Sequence, residues 1–316
     1  MWDYIGVKEC NDYLLSLNLF DCDDRQKYIR TLYAIANDVR KHYTKYQIRK
    51  HDGKMRTIYE PSGILKHIQK RILTEVLEDM RVSPYATAYT KGKSLLDNAQ
   101  PHVGQKMILK LDIRHFFENI WFLDIYNSCF PIELFPKSVG MLFTYLCTYD
   151  DHLVQGAPTS AFISNLVMRE FDYEVGNWCN QKNISYTRYS DDMTFSGDFD
   201  PSGVIRKVRR ELYKLDMELN DSKTRVIRRS HRQCVTGLVV NEKRQVSREY
   251  RKEIRKQIYF IQRHGLSEHL ARIGRDEKGY LERLKGSICY VLQINPDDAE
   301  FRKYLEDIDE LSYANK

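Results

Sequence analysis

The stretch Ser185-Tyr186-Thr187-Arg188-Tyr189-Ser190-Asp191-Asp192-Met193-Thr194-Phe195-Ser196-Gly197 decides the fold prediction for this chain. β-Branched and aromatic residues alternate with small or polar ones on both sides of the Asp-Asp pair. This pattern predicts two short strands joined by a tight turn. Adjacent carboxylates at a turn repel each other, and a divalent cation that neutralises them would stabilise the turn. A further acid on a neighbouring strand would complete a two-metal site for phosphoryl transfer.

Asp112 is the candidate for that further acid. The apolar run Met107-Ile108-Leu109-Lys110-Leu111-Asp112-Ile113 predicts a strand that ends in a carboxylate, and we expect Phe116, Phe117 and Ile120 to continue it into a helix. If the strand pairs with the turn, Asp112, Asp191 and Asp192 converge and bind two Mg²⁺ ions about 3.5–4 Å apart. The alternative is a solvated Asp-Asp turn with Asp112 as a helix cap.

Length and composition are those of an ordinary globular protein with two or three subdomains. The 316 residues are 42% hydrophobic and 30% charged, with a net charge of +6. The basic excess is concentrated between residues 223 and 285, where 18 Lys and Arg face 7 Asp and Glu. Such clustering is typical of a surface that binds nucleic acid, and a solvated helical face is the alternative.

The cysteines and the hydropathy pattern predict a cytoplasmic protein without a membrane segment. The seven cysteines are scattered, form no Cys-x-x-Cys pair and lack zinc spacing with histidine. This is the pattern of reduced thiols in the cytosol. No apolar run reaches 18 residues, and the Met-Trp-Asp start does not resemble a secretory leader.

The rest of the chain mixes predicted helices with short predicted strands, an α+β pattern. Gly53 lies in a turn between two extended segments, and a helix follows from Ile64. Further predicted elements are helices at 137–149, 158–180 and 201–217, a strand at 223–229, a hairpin around 235–237 and a mostly helical tail from 247.

A second motif, Gln155-Gly156-Ala157-Pro158-Thr159-Ser160, predicts a compact turn before a helix. Gly156 would allow the backbone to approach a planar base or a ribose closely. Gln155 carries both a donor and an acceptor. An ordinary N-capped helix start is the alternative.

Residues 247–264 predict an amphipathic helix with a cationic face. Ile254, Ile258 and Ile261 form its apolar stripe. The basic residues that lie largely away from this stripe are Arg251, Lys252, Arg255 and Lys256. A duplex phosphate backbone would suit such a face, and a solvated helix supported by Glu–Lys pairs is the alternative.

The order of these motifs resembles the reverse transcriptases over about residues 50 to 240. Lys110-Leu111-Asp112-Ile113-Arg114-His115-Phe116-Phe117, the Gln155 motif, Tyr189-Ser190-Asp191-Asp192 and then Lys223 follow one another as in that family. Two further segments, Asn98-Ala99-Gln100-Pro101-His102 and Val235-Thr236-Gly237, are similar to motifs of the bacterial retron reverse transcriptases. Ser190 departs from the usual Ala at its position, but it is also small, so we expect activity to be kept.

The resemblance implies a right-hand polymerase with fingers, a small antiparallel palm sheet and a helical thumb. It divides the chain into an N-terminal helical segment (1–50), fingers (51–106), palm (107–240) and thumb (241–316). It also implies two Mg²⁺ ions, held by catalytic Asp112, Asp191 and Asp192 and the carbonyl of Ile113.

The resemblance also implies how substrates are bound. Phe117, five residues after Asp112, would block a ribose 2′-OH and select deoxynucleotides. The residues expected to bind the deoxynucleoside triphosphate are Lys54, Arg56, Phe117, Gln155 and Lys223. Those expected to contact RNA or the primer–template are Asn98, His102, Val235, Thr236, Gly237, Arg251 and Arg255.

The activity implied is RNA-directed DNA synthesis on the protein's own structured non-coding RNA. Priming from an internal guanosine 2′-OH would give branched RNA–DNA (msDNA), and an effector protein in an anti-phage system would be the partner. Three alternatives stay open. They are a non-catalytic RNA-binding scaffold, a group II intron-like or diversity-generating reverse transcriptase, and an RNA-dependent RNA polymerase, which Phe117 disfavours.

Overall fold

A computed structural model describes residues 6–49, 53, 55–274 and 279–314 and confirms the predicted α+β composition. The helices are α1 (Val7–Ser16), α2 (Arg25–Asn37), α3 (Gly63–Ile72), α4 (Leu95–Ala99), α5 (Phe122–Cys129), α6 (Lys137–Cys147), α7 (Ser160–Val167), α8 (Arg169–Asn180), α9 (Pro201–Tyr213), α10 (Arg248–His264), α11 (Leu266–Ile273), α12 (Tyr280–Ile294) and α13 (Ala299–Ala314). The strands are β1 (Tyr43–Arg49), β2 (Met55–Pro61), β3 (Met107–Asp112), β4 (Ser185–Tyr189), β5 (Asp192–Gly197), β6 (Arg225–Arg228), β7 (Cys234–Val235) and β8 (Leu238–Val239).

Strands β1 and β2 pair antiparallel on either side of Gly53, as the sequence predicts. The register runs from Tyr43 opposite Pro61 to Arg49 opposite Met55. Ser62 ends the ladder and α3 begins at the next residue. The hairpin is therefore joined directly to a helix whose apolar side is buried.

The central sheet has the strand order β4-β5-β3-β6. Strand β3 is an interior strand of this sheet, and Ile108, Leu109 and Leu111 on it are at most 1% exposed. A strand rich in apolar side chains suits such a buried position. Strands β4 and β5 are joined by Ser190 and Asp191 alone, which makes them the predicted hairpin. The sheet order places the Asp-Asp turn and the end of β3 on adjacent strands.

The segment after Asp112 is not the predicted helix. Residues 114–119 form consecutive turns, and a helix begins only at Phe122. His115 has φ +49°, a left-handed conformation that an α-helix cannot contain. The Asn119 side chain donates to the carbonyl of Arg114 and closes the turns locally. The predicted helix at 158–180 is likewise two helices, α7 and α8, separated at Met168.

The chain divides into two compact units, each with its own core. One comprises Met1–Lys93, Lys110–Met193 and Phe199–Thr224, and the other comprises Ser94–Leu109, Thr194–Asp198 and Arg225–Lys316. In the second unit, Ile254, Ile258 and Ile261 are buried in the core, so the predicted apolar stripe of α10 is confirmed. Nowhere in the described ranges is a helix both long and apolar enough to span a membrane.

Candidate active site

The Asp-Asp turn is held in a conformation that few residues adopt. Ser190 has φ +61° and is 6% exposed. A left-handed conformation costs a non-glycine residue about 1–2 kcal/mol, and a β-branched or large side chain more. The small Ser190 side chain is thus compatible with both the backbone and its buried surroundings. Asp191 follows in the turn, and Asp192 begins β5.

Backbone hydrogen bonds bring Asp112 to this turn. The N–H of Ile113 donates to the carbonyl of Asp191 at 3.1 Å. On its other side, the N–H of Asn220 donates to the carbonyl of Asp112 at 2.8 Å. Asp112 is therefore fixed between the Asp-Asp turn and the segment that precedes Lys223. These main-chain bonds place Asp112 next to the Asp-Asp turn, and shared metal binding by the three acids stays a prediction.

Both carboxylate oxygens of Asp112 are engaged by side chains. The Lys223 ammonium lies 2.6 Å from Oδ2, and the Asn220 amide donates to Oδ1 at 3.1 Å. The Asp112 side chain is 4% exposed, whereas that of Lys223 is 56% exposed. The Lys223 ammonium group thus lies at the solvent-exposed edge of the three acids, where its long side chain has room to move away from Asp112.

The cluster carries negative charge that its surroundings do not fully compensate. Burial and the neighbouring carboxylates of Asp192 and Asp112 raise the pKa of Asp191 to about 6. Burial also raises the pKa of Asp192, although Lys110 opposes the shift. A carboxyl group whose pKa is raised in this way would be stabilised in its charged form by an added cation.

The donor set fits Mg²⁺ in chemical type. Oxygen ligands from carboxylates are what this hard cation takes, with substrate phosphates completing the shell. Over the described residues no group of three His, Cys, Asp or Glu side chains is already gathered around a common metal position. Both oxygens of Asp112 are occupied by Lys223 and Asn220, so a cation could bind Asp112 only if Lys223 withdrew.

The predicted nucleotide-binding residues that the structure describes lie in the same compact unit as the acids. Phe117 is half-buried, and its ring lies 5.3 Å from that of the buried Phe116. Gln155 accepts a backbone hydrogen bond from Tyr59 on β2 at 2.8 Å. Arg56 is exposed on β2, while Lys54 lies outside the described residues.

Gly156 has a structural reason to be glycine. Its φ is +119°, and a Cβ atom there would lie 2.5 Å from the carbonyl oxygen of Tyr59. Only glycine allows this close approach between the Gln155 loop and β2. The close approach observed is to a strand of the protein itself, not to the base or ribose that the sequence predicted. Contact with a nucleotide stays a prediction.

The two segments that resemble retron motifs meet each other inside the second unit. The Asn98 amide donates to the Thr236 hydroxyl at 3.3 Å, and Nδ1 of His102 lies 2.7 Å from the Ser196 hydroxyl. Asn98 and His102 are at most 1% exposed, and burial lowers the pKa of His102 to about 3, so its ring is neutral. Asn98 thus supports Thr236 and His102 is bound to Ser196, both inside the protein, and direct contact of either residue with RNA stays a prediction.

The Val235 hairpin is the more accessible part of this pair of motifs. Val235 is buried and pairs with Leu238, while Thr236 and Gly237 form the turn with φ +45° and +85°. Gly237 is exposed. The turn itself is therefore the portion that an RNA could reach.

Arg251 and Arg255 are bound to acids of the same unit. Arg251 is 14% exposed and pairs with Asp298 and, at 3.2 Å, with Glu300. Arg255 pairs with Glu300 at 2.5 Å. These ion pairs join α10 to the start of α13. On the surface, the cationic face predicted for α10 consists of Lys252 and Lys256, which are exposed, and of Arg255, whose side chain is 41% exposed.

Two groups beside the acids were not found from the sequence. Asn220 orients Asp112, and Arg188, two residues before Ser190, is completely buried. An arginine at an inward position of an apolar strand is a signal, because a buried guanidinium needs a carboxylate partner. Its partner Asp172 lies on α8, 16 residues earlier in the chain, and no local sequence pattern indicates that the two residues pair.

Comparison with known families defines the class of protein. The family model described as reverse transcriptase (RNA-dependent DNA polymerase) matches residues 48–255, about two thirds of the chain. The chain is therefore a member of the reverse transcriptase family. The predicted fold class and enzyme class, a right-hand RNA-directed DNA polymerase, are confirmed at the level of this family.

Individual relatives narrow the class, and the chain belongs to the bacterial retron reverse transcriptases. Retron Ec86 reverse transcriptase of Escherichia coli is 32% identical over 69% of this chain and 70% of its own length. Retron Ec83 reverse transcriptase of Escherichia coli is 31% identical over 81% of this chain and 84% of its own length. Retron Mx65 reverse transcriptase of Myxococcus xanthus is 30% identical over 82% of this chain, which spans 63% of that protein.

Among solved structures, that of telomerase from Candida albicans with a fragment of telomeric RNA is similar to 90% of this chain. The TM-score is 0.49 at 12% identity, and the similarity covers 64% of the telomerase chain.

Proposed function

We propose that this protein synthesises DNA on an RNA template by adding deoxynucleoside monophosphates to a hydroxyl group and releasing pyrophosphate. The observation that carries the proposal is the position of Asp112 beside the Asp191–Asp192 turn, fixed by the bond from Ile113 to the Asp191 carbonyl. The carboxyl groups of Asp191 and Asp192 have raised pKa values and lie at the turn into the strand next to that of Asp112, and such a set of carboxylates is suited to hold divalent cations at a reacting phosphate.

The acids and Lys223 would act together. Asp112, Asp191 and Asp192, with the carbonyl of Ile113, would hold two Mg²⁺ ions, which supply Lewis-acid activation of the attacking hydroxyl and neutralise the phosphates. Lys223 neutralises Asp112 when no cation is bound. Released from Asp112, its ammonium would compensate charge on the leaving pyrophosphate.

Residues of the same unit would orient the nucleotide. Phe117 would exclude a ribose 2′-OH by its bulk, and Gln155 would contact the sugar and base side. Arg56 and Lys54 would bind the triphosphate, for which the planar, multidentate guanidinium of arginine is well suited. These roles are supported by the family resemblance, and Phe117, Gln155 and Arg56 belong to the same compact unit as the acids.

The template and partners follow from the likeness to retron enzymes. We propose that the template is part of the protein's own structured non-coding RNA and that priming starts at an internal guanosine 2′-OH. The product would be branched RNA–DNA. The Thr236 turn, which Asn98 supports through its hydrogen bond to the Thr236 hydroxyl, would contact this RNA, as would His102 and α10. We further propose a cytoplasmic location and an effector protein as partner in anti-phage defence.

The test of activity is a double substitution at the turn. Asp191→Asn with Asp192→Asn removes the charge of both ligands with little change in shape, so Mg²⁺-dependent deoxynucleotide incorporation should fall to background while RNA binding is kept. Ser190→Ala is the matched control, because it changes the same turn without touching a ligand and should keep synthesis. Incorporation by the double variant at the wild-type rate would exclude the assigned site.

A non-catalytic RNA-binding scaffold is the second candidate, and sequencing of the co-purifying nucleic acid separates the two. Covalently joined RNA and DNA would indicate retron-type synthesis. RNA alone would indicate the scaffold, and DNA without a branch would indicate a reverse transcriptase of the group II intron-like or diversity-generating type.

A further inference from the structure

Behind the Asp-Asp turn lies a fully buried ion pair. Arg188, on β4, and Asp172, on α8, are both 0% exposed. The guanidinium binds the carboxylate through two parallel bonds, from Nε to Oδ1 at 2.8 Å and from Nη2 to Oδ2 at 2.7 Å. The Tyr186 hydroxyl adds a third bond to this carboxylate at 2.8 Å. Buried pairs of this kind add little net stability compared with apolar residues of the same volume, so Arg188 calls for an explanation beyond folding.

The remaining guanidinium nitrogen is directed at the turn. Nη1 of Arg188 donates to the carbonyl oxygen of Ser190 at 3.1 Å and to Oδ1 of Asn165 at 3.2 Å. Ser190 is the residue with the left-handed backbone, and its carbonyl belongs to the peptide unit that leads into Asp191. A donor at this carbonyl fixes the orientation of that peptide and so the direction in which Asp191 leaves the turn.

Arg188 is itself held rigidly. Its N–H donates to the carbonyl of Tyr85 at 2.9 Å, and its carbonyl accepts from the N–H of Thr87 at 2.9 Å and from the Thr87 hydroxyl at 3.0 Å. Asn165, the other acceptor of Nη1, donates to the carbonyl of Ala88 at 2.7 Å. The main chain of Arg188 is thus fixed directly to residues 85–88, and its side chain is linked to the same segment through Asn165.

We propose that Arg188, oriented by Asp172, is a positioning residue that sets the geometry of the Asp191–Asp192 turn and thereby the cation affinity of the acid cluster. The inference rests on the proposed function, because it assigns the acids to cation binding. The role requires a planar guanidinium group that donates hydrogen bonds to the Asp172 carboxylate and the Ser190 carbonyl at the same time. Lysine, with one ammonium group, cannot make both sets of bonds in this geometry.

The experiment compares two variants with a matched control. Arg188→Lys keeps the charge next to Asp172 but removes the bond to Ser190. Arg188→Met with Asp172→Leu replaces the whole pair by apolar residues and leaves no unpaired charge. The control is Lys207→Met with Glu211→Leu, which removes another buried ion pair of the same unit, on α9, 2.8 Å long with side chains 8% and 3% exposed.

Three quantities are measured on each protein: the thermal unfolding midpoint, the Mn²⁺ dissociation constant by electron paramagnetic resonance, and the rate of deoxynucleotide incorporation against Mg²⁺ concentration. Loss of groups that orient metal ligands typically weakens metal affinity or activity by about 10- to 100-fold. We expect weakening of this size in Mn²⁺ affinity and in incorporation for both Arg188 variants, and less than about 2-fold for the control pair.

The proposal is overturned if either Arg188 variant shows a thermal unfolding transition, and is therefore folded, but keeps the wild-type Mn²⁺ affinity and the wild-type rate of deoxynucleotide incorporation. It is also overturned if neither variant folds, since Arg188 would then be needed for folding rather than for positioning. Failure of the proposed function has a different result: the wild-type protein itself would incorporate no deoxynucleotide, whereas the Mn²⁺ comparison would still report on the turn.

Discussion

Asp191→Asn should make the cation-free protein more stable at neutral pH. In the folded protein, burial and the charges of Asp192 and Asp112 hold the pKa of Asp191 at about 6, against an ordinary value of 3.8. The folded state therefore binds a proton more tightly than the unfolded state does. As pH rises from about 4 to 6, the folded protein loses this proton and with it stability, and above pH 6 the full loss persists.

The magnitude follows from the size of the shift. About two pKa units at 1.36 kcal/mol each give about 3 kcal/mol of destabilisation by the charged carboxylate above pH 6. Asparagine has nearly the same shape and no charge, so it should recover this energy. For a chain of this length, 3 kcal/mol corresponds to a rise of about 5 °C in the unfolding midpoint.

The assay is thermal unfolding in the presence of EDTA at a series of pH values. The difference between Asp191→Asn and wild type should be near zero at pH 4 and reach its full value above pH 6. Added Mg²⁺ should stabilise wild type more than the variant, because a ligand stabilises only the state that binds it. The exposed Asp79→Asn is the control and should show no such trend. An Asp191→Asn protein that melts at or below the wild-type temperature at pH 7.5 would refute the electrostatic account of the cluster.

Three further substitutions test other residues. Phe117→Ala should admit ribonucleotides, measured as the ratio of ribonucleotide to deoxynucleotide incorporation; an unchanged ratio would remove the proposed gate. Gly156→Ala should lower the free energy of unfolding by about 1–3 kcal/mol, because Gly156 has a positive φ and lies against the Tyr59 carbonyl. The control Gly286→Ala, in open space on α12, should raise it by up to about 1 kcal/mol. Equal melting points of the two variants would contradict this prediction. Arg255→Gln should lower the unfolding midpoint, because it breaks the ion pair with Glu300. Lys256→Gln should mainly weaken RNA binding and reduce the salt dependence of that binding. Weaker RNA binding by the Arg255 variant and a lower unfolding midpoint of the Lys256 variant would assign RNA contact to Arg255.

Local patterns were enough to predict many elements. Strand β3 is an apolar run, and the β4–β5 hairpin follows from alternation around two turn residues. The amphipathic helix α10 follows from isoleucines at positions 254, 258 and 261, a spacing that matches one helical face. The ordered motifs also identified the family, because each carries residue types that its chemistry requires.

The patterns failed where distant residues decide the backbone. The expected helix after Asp112 is replaced by turns, since His115 adopts a left-handed conformation and Arg114 donates to the carbonyl of Glu218, about a hundred residues away. Arg251 was expected on the cationic face of α10, but it is 14% exposed and bound by acids at the start of α13. Arg255 is also bound there by Glu300, yet its side chain stays 41% exposed. Helical periodicity indicates which side of a helix is polar, and it does not show which partner that side meets.

By itself, the sequence determined the residue types of the site: three acids, an aromatic residue after the first, and a small residue in the turn. Only the tertiary structure decided how their charges are balanced. Lys223 and Asn220 reach Asp112 from more than a hundred residues away, and Asp172 fixes Arg188 behind the turn from another helix. The strength of an electrostatic interaction depends on the distance and burial of the groups, and both are set by long-range packing that no local pattern records.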